Sequence, residues 1–184
     1  IARPFLIFFA NILAKYQGFY FPEKFTWKWK LEMLLQIYEK DTTALFKKTI
    51  KRGMTVIDIG AHIGYYTKIF SDLVGKNGRV YAFEADEKNF LLLKKNTKKF
   101  NNVIAINKAV AEKNGSVVFY KVCGSTGCHS IVPPTLLAEK TIVPSITLDS
   151  FLQENDINQI DFIKIDIEGG ELFAIKGMGA LLSK

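Results

Sequence analysis

From residue 54 onward, short apolar runs rich in β-branched residues alternate with amphipathic runs of helical period, and this alternation constrains the fold more than any other feature. "TVIDIG" reads as a buried strand and "YYTKIFSDLVG" as a helix that Gly75 closes. "GRVYAFEA" is a second strand. "DEKNFLLLKKNTKKF" follows as a helix, with Phe90, Leu93 and Thr97 near one stripe and lysines opposite. "NVIAINKAVA" is a third strand. A β-α-β-α-β order implies parallel strands joined by right-handed crossovers, hence an α/β sheet with helices on both faces.

The pattern then changes. "GSVVFYKV" alternates like a strand directly after the turn signal "AEKNG", and "CGSTGCHSIVPPT" is a loop. "IVPSITLDSFL" predicts a short strand entering a helix, with Thr147 or Asp149 as its cap. "IDFIKIDIEG" is a buried strand and "GELFAIKGMGALL" one further helix.

At 184 residues the chain is long enough for one domain with its own core. The reading divides it into a basic, aromatic-rich extension over residues 1–53 and an α/β domain over 54–184. Hydrophobic content of 48% and charged content of 23% exclude the disordered and collagenous classes. Residues 1–54 hold ten Lys/Arg and four Asp/Glu, whereas residues 55–184 hold fifteen and fourteen. The charge therefore forms a local patch, which argues against a nucleic-acid groove spread over the domain. Two cysteines make no disulfide framework, and no secretory signal with a cleavage site is visible, so a cytoplasmic setting is expected. The chain begins on Ile1 and stops at "GMGALLSK" without a helix-ending signal, and is expected to be a trimmed form.

"RPFLIFFANILAKY" carries an apolar run shorter than the ~20 residues of a membrane-spanning helix. Trp27, Lys28, Trp29 and Lys30 alternate, which predicts an extended segment with one aromatic and one charged face. "YEKDTTALFKKTIKRGM" reads as a short helix ending near Gly53. Two roles compete for this region: an extension packed over the domain or a partner subunit, and a peripheral membrane contact through residues 1–30, with aromatics in the interface and lysines toward anionic headgroups.

The chemistry concentrates at two strand ends. In Asp58-Ile59-Gly60-Ala61-His62-Ile63-Gly64 the glycines let backbone approach a ligand, and the helix from Tyr65 points N–H groups at it. Glu84, at the end of the second strand, is placed to accept hydrogen bonds from ribose hydroxyls. His62 stands where a dinucleotide fingerprint needs its middle glycine, which shifts the reading away from a pyrophosphate. A nucleoside cofactor without phosphates, such as S-adenosylmethionine, suits this loop, with Asp58 placed to meet its ammonium group directly or through water. In "IKIDIEGGE", Lys164, Asp166 and Glu168 alternate, predicting that all three share one face at a strand tip. A carboxylate there can hold the cofactor's methionine end, take a hydroxyl proton, or bind a divalent metal; a helix cap or a salt bridge to Lys164 is the lesser alternative for Asp166.

"VIDIGAHIGYYT", "RVYAFEADEKNFLLLKKN", "AINKAVAEKNGSVVFY", "ITLDSFL" and "IDFIKIDIEGGELFAIKGM" occur in an order that resembles the FkbM-type methyltransferases, over about residues 50–184. The resemblance implies a Rossmann-like class I S-adenosylmethionine-dependent fold and O-methylation of hydroxyls on sugars, glycolipids or secondary metabolites. It implies cofactor contacts at Asp58, Gly60, Ala61, Gly64 and Glu84, with His62 in the same loop. Asp166 and Glu168 match the family's acidic motif, and Ala109 and Val110 stand where adenine would pack. The loop carrying His129 resembles the family's substrate-side loop, which would suit His129 as a general base or a hydrogen-bond donor to substrate, the alternative being a surface histidine without a role. The class I sheet closes with further strands, expected here after Lys184.

Cys123, Cys128 and His129 fall short of a structural zinc site, which wants four ligands and tighter cysteine spacing. The alternatives to small-molecule methylation are an RNA methyltransferase, suggested by Lys94, Lys95, Lys98 and Lys99, and a non-catalytic membrane-associated protein that keeps the fold as scaffold. An NAD-dependent oxidoreductase is a more distant reading.

Overall fold

Four parallel strands form the centre of the computed structural model, which describes residues 2–122, 124 and 127–183. They are β1 (Thr55–Ile59), β2 (Arg79–Phe83), β3 (Val103–Ile106) and β7 (Phe162–Ile165), in the spatial order β3-β2-β1-β7. The register places Asp58 beside Ala82 on one side and Lys164 on the other. Strand periodicity then sorts the side chains onto two faces.

Val56, Val80 and Phe162 face one layer, built by α4 (Tyr65–Val74) and by Phe46 of α3 (Lys40–Thr49). Ile57, Ile59, Phe83, Ile163 and Ile165 face the other, built by α6 (Leu148–Glu154) and α7 (Glu171–Lys176). Both faces are thus covered by helices, and each strand reads as a near-continuous apolar run for that reason. The third crossover helix, α5 (Glu87–Thr97), packs beside β3, with Leu93 fully buried. Asp86 caps it by accepting from the Asn89 amide at 2.9 Å.

Several expectations change in three dimensions. The third strand of the sequence pattern breaks after Ile106. Asn107 turns the chain by donating its side-chain amide to the carbonyls of Glu84 and Ala85. The two residues beyond, β4 (Ala109–Val110), leave the main sheet and pair with Ser145–Ile146 of β6 (Ala138–Ile146). With β5 (Gly115–Val122), these make a second, three-stranded sheet in the order β4-β6-β5, whose β5–β6 pair is antiparallel. Thr147 caps α6, accepting from the Ser150 amide. Asp149 instead accepts from the amides of Ala180 and Leu181, opening a separate short helix, α8 (Gly179–Leu182), where the sequence predicted one continuous helix.

The segment of alternating Trp and Lys is not extended. Residues Trp27–Leu34 form helix α2, which buries Met33 and Leu34 and lies against α1 (Ala2–Gln17). Gln17 donates to the Leu34 carbonyl at 3.0 Å and Lys30 to Asn11 Oδ1 at 3.0 Å. No strand adjoins this segment to pair with among the described residues, so local hydrogen bonding and the two buried apolar side chains decide for helix. Among the described residues, no helix is long and apolar enough to cross a membrane. α3 ends at Thr49, a turn before Gly53, with Lys47 and Lys48 in its last turn.

The turn after β1 depends on Gly60. Its φ of +79° is left-handed, and a Cβ there would lie 1.9 Å from the Asp166 carbonyl oxygen. Gly60→Ala is therefore expected to cost roughly 2–4 kcal/mol, combining left-handed strain with overpacking. Urea unfolding measures this, and a loss below about 0.5 kcal/mol would contradict the packing described for this turn.

Candidate functional site

The strand ends of β1, β2 and β7 open onto a cavity of about 690 Å³, within the range of small-ligand sites. Gly60 and His62 form one part of its lining, Glu84 its buried floor, and Ala109, Val110 and Phe119 an apolar side. His129, Asp166 and Glu168 reach it from the two neighbouring loops. Eight of the residues singled out from sequence therefore meet in one place: Gly60, His62, Glu84, Ala109, Val110, His129, Asp166 and Glu168.

Three do not line it. Asp58 is fully buried on the α4 face; Ala61 packs with Ala82 and Leu93. Gly64 precedes α4, where a Cβ would meet Leu93 Cδ1 at 2.9 Å, so its smallness lets α4 and α5 approach. A direct meeting of Asp58 with a ligand's ammonium is blocked by Lys164, whose Nζ lies 3.3 Å from Asp58 Oδ1. Thr67 donates to the other carboxylate oxygen at 2.6 Å.

Glu84 is 7% exposed, and its carboxylate is held by backbone. The His62 amide donates to Oε2 and the Asp86 amide to Oε1, both at 2.8 Å. Each oxygen keeps a lone pair for a further donor. Burial pushes this carboxyl up to about 7, against the pull of the two amides. Burial, with the positive charge of His129 and Lys164 nearby, pushes His62 down to about 4, so its imidazole is neutral at neutral pH.

The rim is latched from the second sheet. Lys121 of β5 lies 2.9 Å from Asp86. Burial opposes the Asp86 charge, but Lys121 and the Asn89 amide outweigh it and hold the carboxyl below its usual range. Ser130 donates to the Ile167 carbonyl at 3.2 Å, tying the β5–β6 loop to the loop after β7. In that first loop, His129 Nδ1 accepts from the Val122 amide at 3.1 Å. A neutral His129 therefore carries its hydrogen on Nε2 and presents a donor. Burial lowers its pKa.

Lys164, Asp166 and Glu168 do not continue one strand face. β7 ends at Ile165, and Glu168 turns through a φ of +55°. Asp166 stays within 3.6 Å of Lys164 Nζ with an exposed side chain, while burial and the charges of Asp166 and Glu171 raise the Glu168 pKa. Among the described residues, no three His, Cys, Asp or Glu side chains cluster as a metal site would require, so the divalent-metal reading of Asp166 finds no ligand set. Cys123 of the Cys-Cys-His reading lies outside the described residues.

The sequence reading missed the opposite wall. Phe25, Trp29, Met33, Tyr38 and Glu39 of the N-terminal segment line the same cavity. The signal was present as aromatic density, but nothing in one sequence says where a distant segment docks.

Lys164 holds this arrangement together, donating to the Gly60 carbonyl at 2.8 Å while paired with Asp58. Lys164→Met would leave Asp58 charged and buried, at a cost of about 3–5 kcal/mol. The double variant Lys164→Met/Asp58→Asn is expected to recover at least half of that loss in chemical denaturation. Equal losses in the single and double variants would refute the pairing.

The sequence profile of the methyltransferase FkbM domain matches residues 58–184. Over 142 residues the chain is 25% identical to the hexuronic acid methyltransferase AglP of Haloferax volcanii, covering 76% of this chain and 56% of that protein. Over 66 residues it is 44% identical to a probable cobalt-precorrin-6B C(15)-methyltransferase (decarboxylating) of Saccharolobus solfataricus, covering 34% of this chain and 33% of that one. The chain thus spans between a third and just over half the length of these curated relatives. Among solved structures, the methyltransferase FkbM of Methylobacillus flagellatus aligns over 95% of this chain and 44% of its own, with 18% identity and a TM-score of 0.47. The profile match takes in the glycine turn, Glu84, the β5–β6 loop and the acidic loop after β7, more than half of the sequence in all, and the chain belongs to the FkbM methyltransferase domain family.

Proposed function

We propose that this protein is an S-adenosylmethionine-dependent methyltransferase that acts on a hydroxyl oxygen of a sugar-type acceptor. The observation that carries the reading is Glu84: a buried carboxylate on the cavity floor, fixed by two backbone amides, with a lone pair left on each oxygen. Such a group fits the paired hydroxyls of a ribose. The apolar side made by Ala109, Val110 and Phe119 fits an adenine face, and Gly60 lets backbone approach the remainder. Family membership supports the choice of cofactor, and the likeness to a hexuronic acid methyltransferase supports the choice of acceptor.

When bound, S-adenosylmethionine supplies an electrophilic methyl group on its sulfonium. The chain's own residues position and deprotonate the acceptor. Asp166, exposed on the cavity wall and steadied by Lys164, takes the hydroxyl proton. His129 donates from Nε2 to an acceptor oxygen, and Glu168 adds a second carboxylate at the same rim. Asp58 acts through Lys164, setting the ammonium that holds the Gly60 turn and Asp166. An RNA acceptor is less favoured, because Lys94 and Lys95 on α5 and Lys98 and Lys99 just after it are exposed and do not line the cavity, and Lys95 covers the ring of Tyr20 at 3.5 Å.

Isothermal titration with S-adenosylhomocysteine tests the cofactor step, and radiolabelled methyl transfer to glucuronides tests the acceptor. Glu84 is protonated in the native state between its ordinary value of 4.5 and about 7. Its contribution to stability is complete below 4.5 and fades as pH rises through 7. Affinity for the nucleoside needs the carboxylate and should rise about tenfold from pH 6 to pH 8; Glu84→Gln should bind at least tenfold more weakly and lose that dependence. Saturable binding that ignores both the pH and the substitution would overturn the assignment.

A second reading, contact with a membrane surface on its cytoplasmic side, draws on α1. Phe5, Phe8, Ile12 and Tyr16 follow one helical stripe and are all at least half exposed, and residues 1–54 carry most of the chain's net positive charge. Co-sedimentation with phosphatidylserine vesicles should exceed that with phosphatidylcholine vesicles and fall severalfold for Phe5→Ser/Phe8→Ser. Equal sedimentation with both lipids would dismiss this contact.

A further inference from the structure

The part of the cavity that faces the glycine turn is built by residues preceding the family match. Phe25 and Trp29 meet edge to face with ring centroids 6.3 Å apart, and Phe25 lies 6.2 Å from the His62 ring. The aromatic pair is thereby fixed against the turn that follows β1. Trp29 is nevertheless half exposed at the cavity wall, a large apolar face without a cover.

Glu39 stands on the same wall, and its backbone is strained. With φ 42° and ψ 60° it holds a left-handed conformation unusual for a side-chain-bearing residue. It precedes α3, yet its side chain makes no capping bond to that helix. Its carboxylate is instead directed to Tyr66, whose hydroxyl donates to Oε2 at 2.6 Å. The Tyr66 ring lies under Lys164 Nζ at 5.8 Å, so Glu39 joins the charged group at the β1 and β7 strand ends through one side chain. An aromatic face beside a positioned carboxylate matches a ring with C–H faces and hydroxyl edges.

We infer that residues 25–39 form the acceptor subsite, in which Trp29 stacks on a pyranose ring and Glu39 accepts hydrogen bonds from its hydroxyls. The inference rests on the proposed sugar methylation and gives it a location. It also adds acceptor contacts from a segment outside residues 58–184, facing those proposed for His129, Asp166 and Glu168 within it.

The chain's two tryptophans are Trp27 and Trp29, so Trp27→Phe leaves Trp29 as the sole indole reporter. Titrating that variant with the methyl glycoside of glucuronic acid, in the presence of S-adenosylhomocysteine, should give a saturable change in Trp29 emission. Glu39→Gln and Trp29→Leu should each raise the acceptor KM at least tenfold, with the Kd for S-adenosylhomocysteine kept within twofold. Unchanged emission together with unchanged KM would overturn the subsite. Loss of cofactor affinity parallel to the rise in KM would overturn it as well, because the wall would then serve the nucleoside. Should no methyl transfer occur in the native protein, the proposed activity fails, and the emission titration still decides the subsite: saturable with the sugar, it stands; flat, it falls.

Discussion

One ammonium group connects the strand ends and turns that open onto the cavity. Lys164 Nζ is 3.3 Å from Asp58 Oδ1, 2.8 Å from the Gly60 carbonyl and 3.6 Å from Asp166 Oδ2, and it lies over the ring of Tyr66. Those contacts span β1, the turn after it, the end of β7 and the first turn of α4. Tyr66 extends the chain of contacts to Glu39 and hence to the N-terminal segment. A buried lysine among such partners is costly to desolvate and contributes little net stability by itself, but it specifies one arrangement of the elements it touches. The parallel register that sets Lys164 beside Asp58 is what brings the pair into contact.

Around that node the cavity has two halves with different physical characters. The inner half is held by polar contacts: two amides bind Glu84, and Asp86, Lys121 and Ser130 latch the flanking loops. The outer half is aromatic and supplied by the segment before β1.

Much of the central sheet was legible because its strands are buried on both faces and read as apolar runs between helices of clear period. Glu84 and the glycine turn were legible because few positions tolerate a carboxylate or a left-handed backbone at a strand end. The second sheet was not legible. Residues 103–110 look like one strand, and only Asn107, by donating to the Glu84 and Ala85 carbonyls, divides them. The Trp-Lys alternation misled for a related reason: a period of two over four residues is weak evidence, and contact with α1 overrode it.

By itself the sequence determined the strands of the central sheet and the helices that join β1, β2 and β3, the carboxylate at the end of β2, the acidic residues after β7 and the family to which the pattern belongs. These are local properties, carried by periodicity, turn chemistry and residue type. Tertiary structure decided that Asp58 serves Lys164 and lies apart from the cavity, that His129 presents a donor, and that the N-terminal segment closes the cavity's far side. The second rests on the Val122 amide seven residues away, and the other two on contacts between residues far apart in the chain, Asp58 with Lys164 and Phe25 with His62. Such contacts exist only once the layers have packed, and no local pattern encodes them.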